Sequence, residues 1–86
     1  MKVLILYRPL SEQRRPVEEF IHEFERQHPD RKLKTMDIDS RDGMAMATLY
    51  DIVRYPAVLA TSDEGELLNS WEGDQLPLMN EVLAYA

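Results

Sequence analysis

The stretch "YDIVRYPAVLATSDEGELLNSWEG", Tyr50 to Gly73, carries the reading of the fold. Within it "AVLAT" (Ala57–Thr61) is an apolar run of strand length, and "ELLNSW" (Glu66–Trp71) is a second. The intervening "SDEG" has the composition of a hairpin turn, with Gly65 suited to a positive φ. Pro56 stands directly before the first of these strands, where a proline by itself marks a strand start.

Outward from that hairpin the chain alternates between two periods. "KVLILY" (Lys2–Tyr7) is a continuous apolar run, the pattern of a strand buried on both faces. Val17, Phe20, Ile21 and Phe24 then recur at spacings of three and four, which predicts a helix with one apolar stripe, ended near "RQHPDR" by Pro29. "KLKTMDID" (Lys32–Asp39) reads as a second strand of weaker apolar character. Asp42 is placed to cap a short helix holding Met44, Met46, Ala47, Leu49 and Tyr50. After the hairpin, Asp74 and Pro77 open a final helix, "LMNEVLAYA", expected to bury Met79, Val82 and Leu83.

The resulting order is β-α-β-α-β-β-α, an α/β domain occupying residues 1–86. Two strands joined by a helix are expected to be parallel with a right-handed crossover, and the last two to be antiparallel. A four-stranded mixed sheet with helices on both faces follows.

Composition narrows the chemistry. The chain has 86 residues, an apolar fraction of 44% and no cysteine. One packed core is expected, with no disulfide framework, no thiolate and no cysteine-ligated metal. The formal charge is −6, which speaks against broad binding to nucleic acid or to an anionic membrane. The charge is unevenly distributed: residues 1–15 carry Lys2, Arg8, Arg14 and Arg15 against Glu12 alone. A strand beginning at Lys2 and the lack of any apolar run of spanning length give the expectation of a cytoplasmic domain.

The residues of this order resemble the thioredoxin/glutaredoxin-like superfamily. Tyr50, Ile52, Pro56, Gly65 and Gly73 fall in register with the core segment of that family. "MDIDSRDGMA" is similar to its second strand running into its second helix, and "LYRPLSEQR" resembles the glutaredoxin-like Leu-Tyr-Ser-Arg-Pro-Gly-Cys-x-x-Cys less one residue. The resemblance covers nearly the whole chain and implies the minimal thioredoxin fold, with strand order 2-1-3-4. It also implies a cis Tyr55–Pro56 bond, with Tyr55 offering backbone hydrogen bonds to a bound peptide or to glutathione.

The departures from that family decide the functional expectation. Aligned on "LYRP", the Cys-x-x-C positions are Ser11, Glu12, Gln13 and Arg14; aligned on Pro16 they are Arg8, Pro9, Leu10 and Ser11. Neither register restores a sulfur, and the acid that serves the thiols on the family's first strand has no counterpart in "KVLILY". Disulfide exchange needs an attacking thiolate, so a non-redox domain is expected, not an enzyme of that class. Ser11 reads as an N-cap for the first helix, which starts at Glu12 or at Pro16.

What remains is a binding face. In the implied fold Arg8, Ser11, Arg14, Arg15, Arg54, Tyr55 and Pro56 meet at one end of the sheet, beside a helix N-terminus. Arginines and backbone N–H groups converging there suit an anionic peptide, protein partner or small ligand. The plainer reading is a solvated set of arginines paired with Glu12, Glu18 and Glu19. An enzymatic alternative is a glutathione-binding domain like the N-terminal domain of glutathione transferases, with Ser11 at the thiol-contacting position and Ser70 near the glutamyl end. A third is self-association: the edge segment Leu67–Trp71 lacks charge, so the chain is expected to be a monomer or a weak homodimer through it. His22 and His28 have no metal-ligand partner at useful spacing, and Asp37 and Asp39 read as solvated strand-end carboxylates and not as a catalytic pair, so no metal and no cofactor is assigned.

Overall fold

The computed structural model describes residues 1–86. Its elements are β1 (Lys2–Tyr7), α1 (Arg14–Gln27), β2 (Lys34–Asp37), α2 (Arg41–Leu49), β3 (Ala57–Thr61), β4 (Leu67–Glu72) and α3 (Met79–Leu83). One sheet runs in the order β2-β1-β3-β4. β1 pairs with β2 in parallel and with β3 antiparallel, and β3 pairs antiparallel with β4. The chain is therefore an α/β domain with a four-stranded mixed sheet, in the 2-1-3-4 order that the resemblance implied.

Alternation along the two central strands builds two cores. Val3, Ile5 and Tyr7 of β1 and Val58 of β3 point to one face, where Val17, Phe20 and Phe24 of α1 and Val82 of α3 cover them. Leu6, Ala57 and Leu59 point to the other, beneath α2, with Ile38 and Ile52. The continuous apolar run of β1 thus serves both faces at once. Trp71 packs on the α1 and α3 side, its ring 5.9 Å from that of Tyr85.

The second helix is seated by a contact that hydrophobic patterning does not register. Ser40, not Asp42, is its N-cap: the Ser40 hydroxyl accepts from the Gly43 N–H at 3.0 Å and donates to the Asp37 carbonyl at 2.6 Å. Asp42 lies inside the first turn, where its charge complements the helix dipole. A Cβ on Gly43 would fall 1.9 Å from the Asp37 carbonyl oxygen, so the helix leans on the end of β2 at backbone distance. Its far end closes in a Schellman motif, with Ile52 N–H on the Ala47 carbonyl at 2.8 Å and Asp51 N–H on that of Thr48 at 3.3 Å. Asp51 takes the left-handed conformation there, φ 57°.

Several expectations need correction. β2 is four residues long, Lys34–Asp37, with Leu33 and Ile38 just outside it and buried. α3 begins at Met79; Leu78 is its cap, with its N–H on the Glu81 carboxylate at 3.0 Å, and Asp74 plays no part. In α2, Met44 and Leu49 are exposed. α1 starts at neither Glu12 nor Pro16 but at Arg14, which puts Pro16 in the first turn, where a missing N–H leaves no intrahelical bond unmade.

Candidate functional site

Of the expected site residues, Arg8, Tyr55 and Pro56 lie at one end of the sheet. Leu6 opposite Ala57 sets Tyr7 and Arg8 beside Tyr55 and Pro56, and the Tyr55–Pro56 peptide is cis. Gly73 continues the edge, donating its N–H to the Pro56 carbonyl at 3.1 Å. These residues come from the end of β1, the approach to β3 and the exit of β4, so the positions are set by the sheet and not by a mobile loop.

The four arginines do not converge. Arg8 turns toward the β2 side, where its guanidinium meets Asp39 through Nε at 2.9 Å and Nη2 at 3.2 Å. That pairing raises the Arg8 pKa and lowers that of Asp39, each through the shared hydrogen bonds first. Arg14 pairs with Glu18 at 3.2 Å and Arg15 with Glu19 at 3.4 Å along α1. Arg54 forms no ion pair and lies over Gly73, whose built Cβ would meet the guanidinium at 3.1 Å. Asp39 follows β2 and Gly73 follows β4, opposite edges of the sheet and roughly 14 Å apart at three strand spacings. The plainer reading of Arg14 and Arg15 holds, with Glu18 and Glu19 as partners and Glu12 uninvolved.

The helix N-terminus is also engaged internally. Ser11 is not its cap; Gln13 is the first flanking residue and lends no side-chain bond to the helix. The Ser11 hydroxyl donates to the Arg8 carbonyl at 2.6 Å and accepts from the Gln13 N–H at 3.1 Å, a serine turn inside the loop. The Gln13 side chain accepts from the Arg8 N–H at 2.9 Å, and the Arg14 N–H goes to the Ser11 carbonyl at 3.2 Å. With Pro16 lacking an N–H, little of the usual anion cradle is open.

The open groups lie in the segment 53–55. Glu72 accepts from the Val53 and Arg54 N–H groups at 3.4 Å each. The Tyr55 hydroxyl donates to the Ile52 carbonyl at 3.1 Å. Its backbone N–H and C=O are hydrogen-bonded to nothing within the protein, and the carbonyls of Val53 and Arg54 are equally free. Val53 is 75% exposed, and Leu10, in the loop between β1 and α1, is 94% exposed. This is a short bend before β3 in which the Tyr55 N–H and the carbonyls of residues 53–55 are unpaired, with the Arg54 cation and the exposed Val53 beside them. Sequence reasoning included Arg54 and Tyr55 but passed over Val53 and Leu10, apolar residues in loops whose exposure only the assembled fold reveals.

No group of three or more His, Asp or Glu side chains is gathered so as to hold a metal ion. No helix is long and apolar enough to cross a membrane. No family model matches the chain, and no curated protein matches it.

Proposed function

We propose that this is a non-catalytic, non-redox binding module of thioredoxin-like type, acting in the cytoplasm, that takes an extended acidic peptide segment of a protein partner along Val53–Tyr55. The observation that carries the reading is the Tyr55 backbone: both its polar groups lack a protein partner at the end of a central strand. Backbone groups in such a position bond to water or to an added strand. The neighbouring Arg54, whose guanidinium holds no ion pair although the Glu72 carboxylate accepts from its backbone N–H, selects acidic residues, while Val53 and Leu10 provide apolar contacts. Arg8, Arg14 and Arg15 contribute background field only, because each already holds a carboxylate.

The glutathione reading is disfavoured by Ser11, whose proton is committed to the Arg8 carbonyl. Ser70 also pairs with Leu59, two residues in from the strand end where Glu72 meets Ala57, and so lies away from the loops. Binding of an array of extended peptides that differ only in net charge tests the proposal. The wild type is expected to retain acidic peptides over basic ones, and Arg54→Glu to lose or invert that preference. Equal retention of both sets by both proteins would overturn it.

A further inference from the structure

The opposite end of the sheet carries a second feature, independent of the peptide-binding reading. α2 has nine residues and is about 13 Å long, whereas the six-residue β1 spans about 20 Å. The helix therefore covers Leu6, Ala57 and Leu59 but leaves the start of β1 and β2 on that face open. By strand alternation and by the pairing of Leu4 with Lys34, that uncovered region consists of Lys2, Leu4, Lys34 and Met36.

A hollow of about 230 Å³ lies there, lined by Leu4, Met36, Met46 and Tyr50 among others, with Lys2 and Lys34 in the same wall. Tyr50 is held as a fixed wall by its hydroxyl, which donates to the Gly65 carbonyl at 2.6 Å. A shallower hollow shares Met36 and Met46 and extends to the exposed Leu49. Both lysines are exposed and neither forms an ion pair. Asp63, the acid of the lining, is already engaged by the Met1 amino group at 3.0 Å. The result is an apolar floor with two ammonium groups beside it that hold no ion pair, Lys2 being near enough to Asp63 to favour its charged form and Lys34 having no acid in the lining but that one. An apolar cavity of about 150 Å³ is enough to hold benzene, so this one has room for a ring and a short arm.

We propose that this hollow binds small amphiphilic carboxylates, an apolar or aromatic body lying on Leu4, Met36, Met46 and Tyr50 and the carboxylate reaching Lys2 and Lys34. Methionine side chains suit such a role, since they reshape around different apolar bodies and favour contact with a ring. The probe is 3-phenylpropionate, titrated into the full chain with the methionine methyl signals followed by NMR, beside 3-phenylpropan-1-ol as its uncharged counterpart. Saturable shifts are expected at Met36 and Met46, with the alcohol binding about five- to tenfold more weakly, the scale of two exposed ion pairs. Lys2→Gln/Lys34→Gln should reduce the carboxylate to the level of the alcohol, while Lys32→Gln and Arg54→Glu leave it unchanged. The absence of shifts at Met36 and Met46, equal affinity for acid and alcohol, or undiminished affinity in the double variant would each overturn the assignment. Because Arg54→Glu serves as a control here, failure of this site is distinguishable from failure of the peptide-binding reading.

Discussion

Replacing Gly43 by alanine puts a methyl group where α2 meets the end of β2. At an ordinary helical position the change stabilises by about 1 kcal/mol, because glycine is the poorer helix former. Here the added carbon would stand 1.9 Å from the Asp37 carbonyl oxygen, 2.8 Å from its carbonyl carbon and 3.0 Å from the Ile38 Cα. All three are backbone atoms at the end of a paired strand, so none can swing away as a side-chain tip would. Relief requires α2 to retreat by about 1.5 Å to reach normal contact. Overpacking of this kind costs about 1–3 kcal/mol, and the retreat also strains the Ser40 cap, worth about 1 kcal/mol. Set against the helical gain, the net loss is about 2 kcal/mol, or about 8–16 °C in Tm for a domain of this size. Thermal unfolding followed by circular dichroism reads it, with Ala45→Gly as the control that loses only helix propensity. An unchanged or raised Tm for Gly43→Ala would refute the close seating of α2.

Two further outcomes follow from local chemistry. Asp51→Gly is expected to raise stability by about 0.5 kcal/mol in urea unfolding, because a left-handed conformation costs an L-residue about 1–2 kcal/mol while glycine's extra freedom in the unfolded chain returns part of that; a loss of stability would count against the Schellman closure. The Glu23 carboxyl, held by hydrogen bonds from Arg26 and then Gln27, is pushed down from 4.5 to about 2. A depressed carboxyl pKa means a contribution to stability that is present above about pH 4.5 and lost as pH falls toward 2. Carboxyl-carbon NMR should show Glu23 titrating near 2, and nearer its ordinary value in Arg26→Gln; titration near 4.5 in the wild type would contradict the pairing.

Much of the fold was legible because its signals are local. The unbroken apolar run of β1 announced a strand buried on two faces, and Val17, Phe20 and Phe24 announced one helix face. Gly65 announced its turn, with φ 90°. What could not be read depends on tertiary placement. Ser40 and Asp42 are both competent caps, and the choice between them is made by where Gly43 lets α2 touch β2. Arg8 finds Asp39, thirty-one positions along the chain, so charge counting over residues 1–15 overstated the positive field at that end. Ser11 is drawn into a turn with Arg8 and Gln13 because the loop closes three residues before the helix begins. The opening beneath α2 arises from a difference between helix and strand lengths, which no motif encodes.

The most direct measurement is the amide spectrum of isotope-labelled protein titrated with an alternating glutamate–valine pentapeptide. If the open backbone groups of residues 53–55 are the docking site, the Tyr55 amide moves farthest and to lower field, and the Arg54→Glu variant shows no saturation. A Tyr55 amide that stays in place while resonances elsewhere respond, or an equal response from Arg54→Glu, would contradict it.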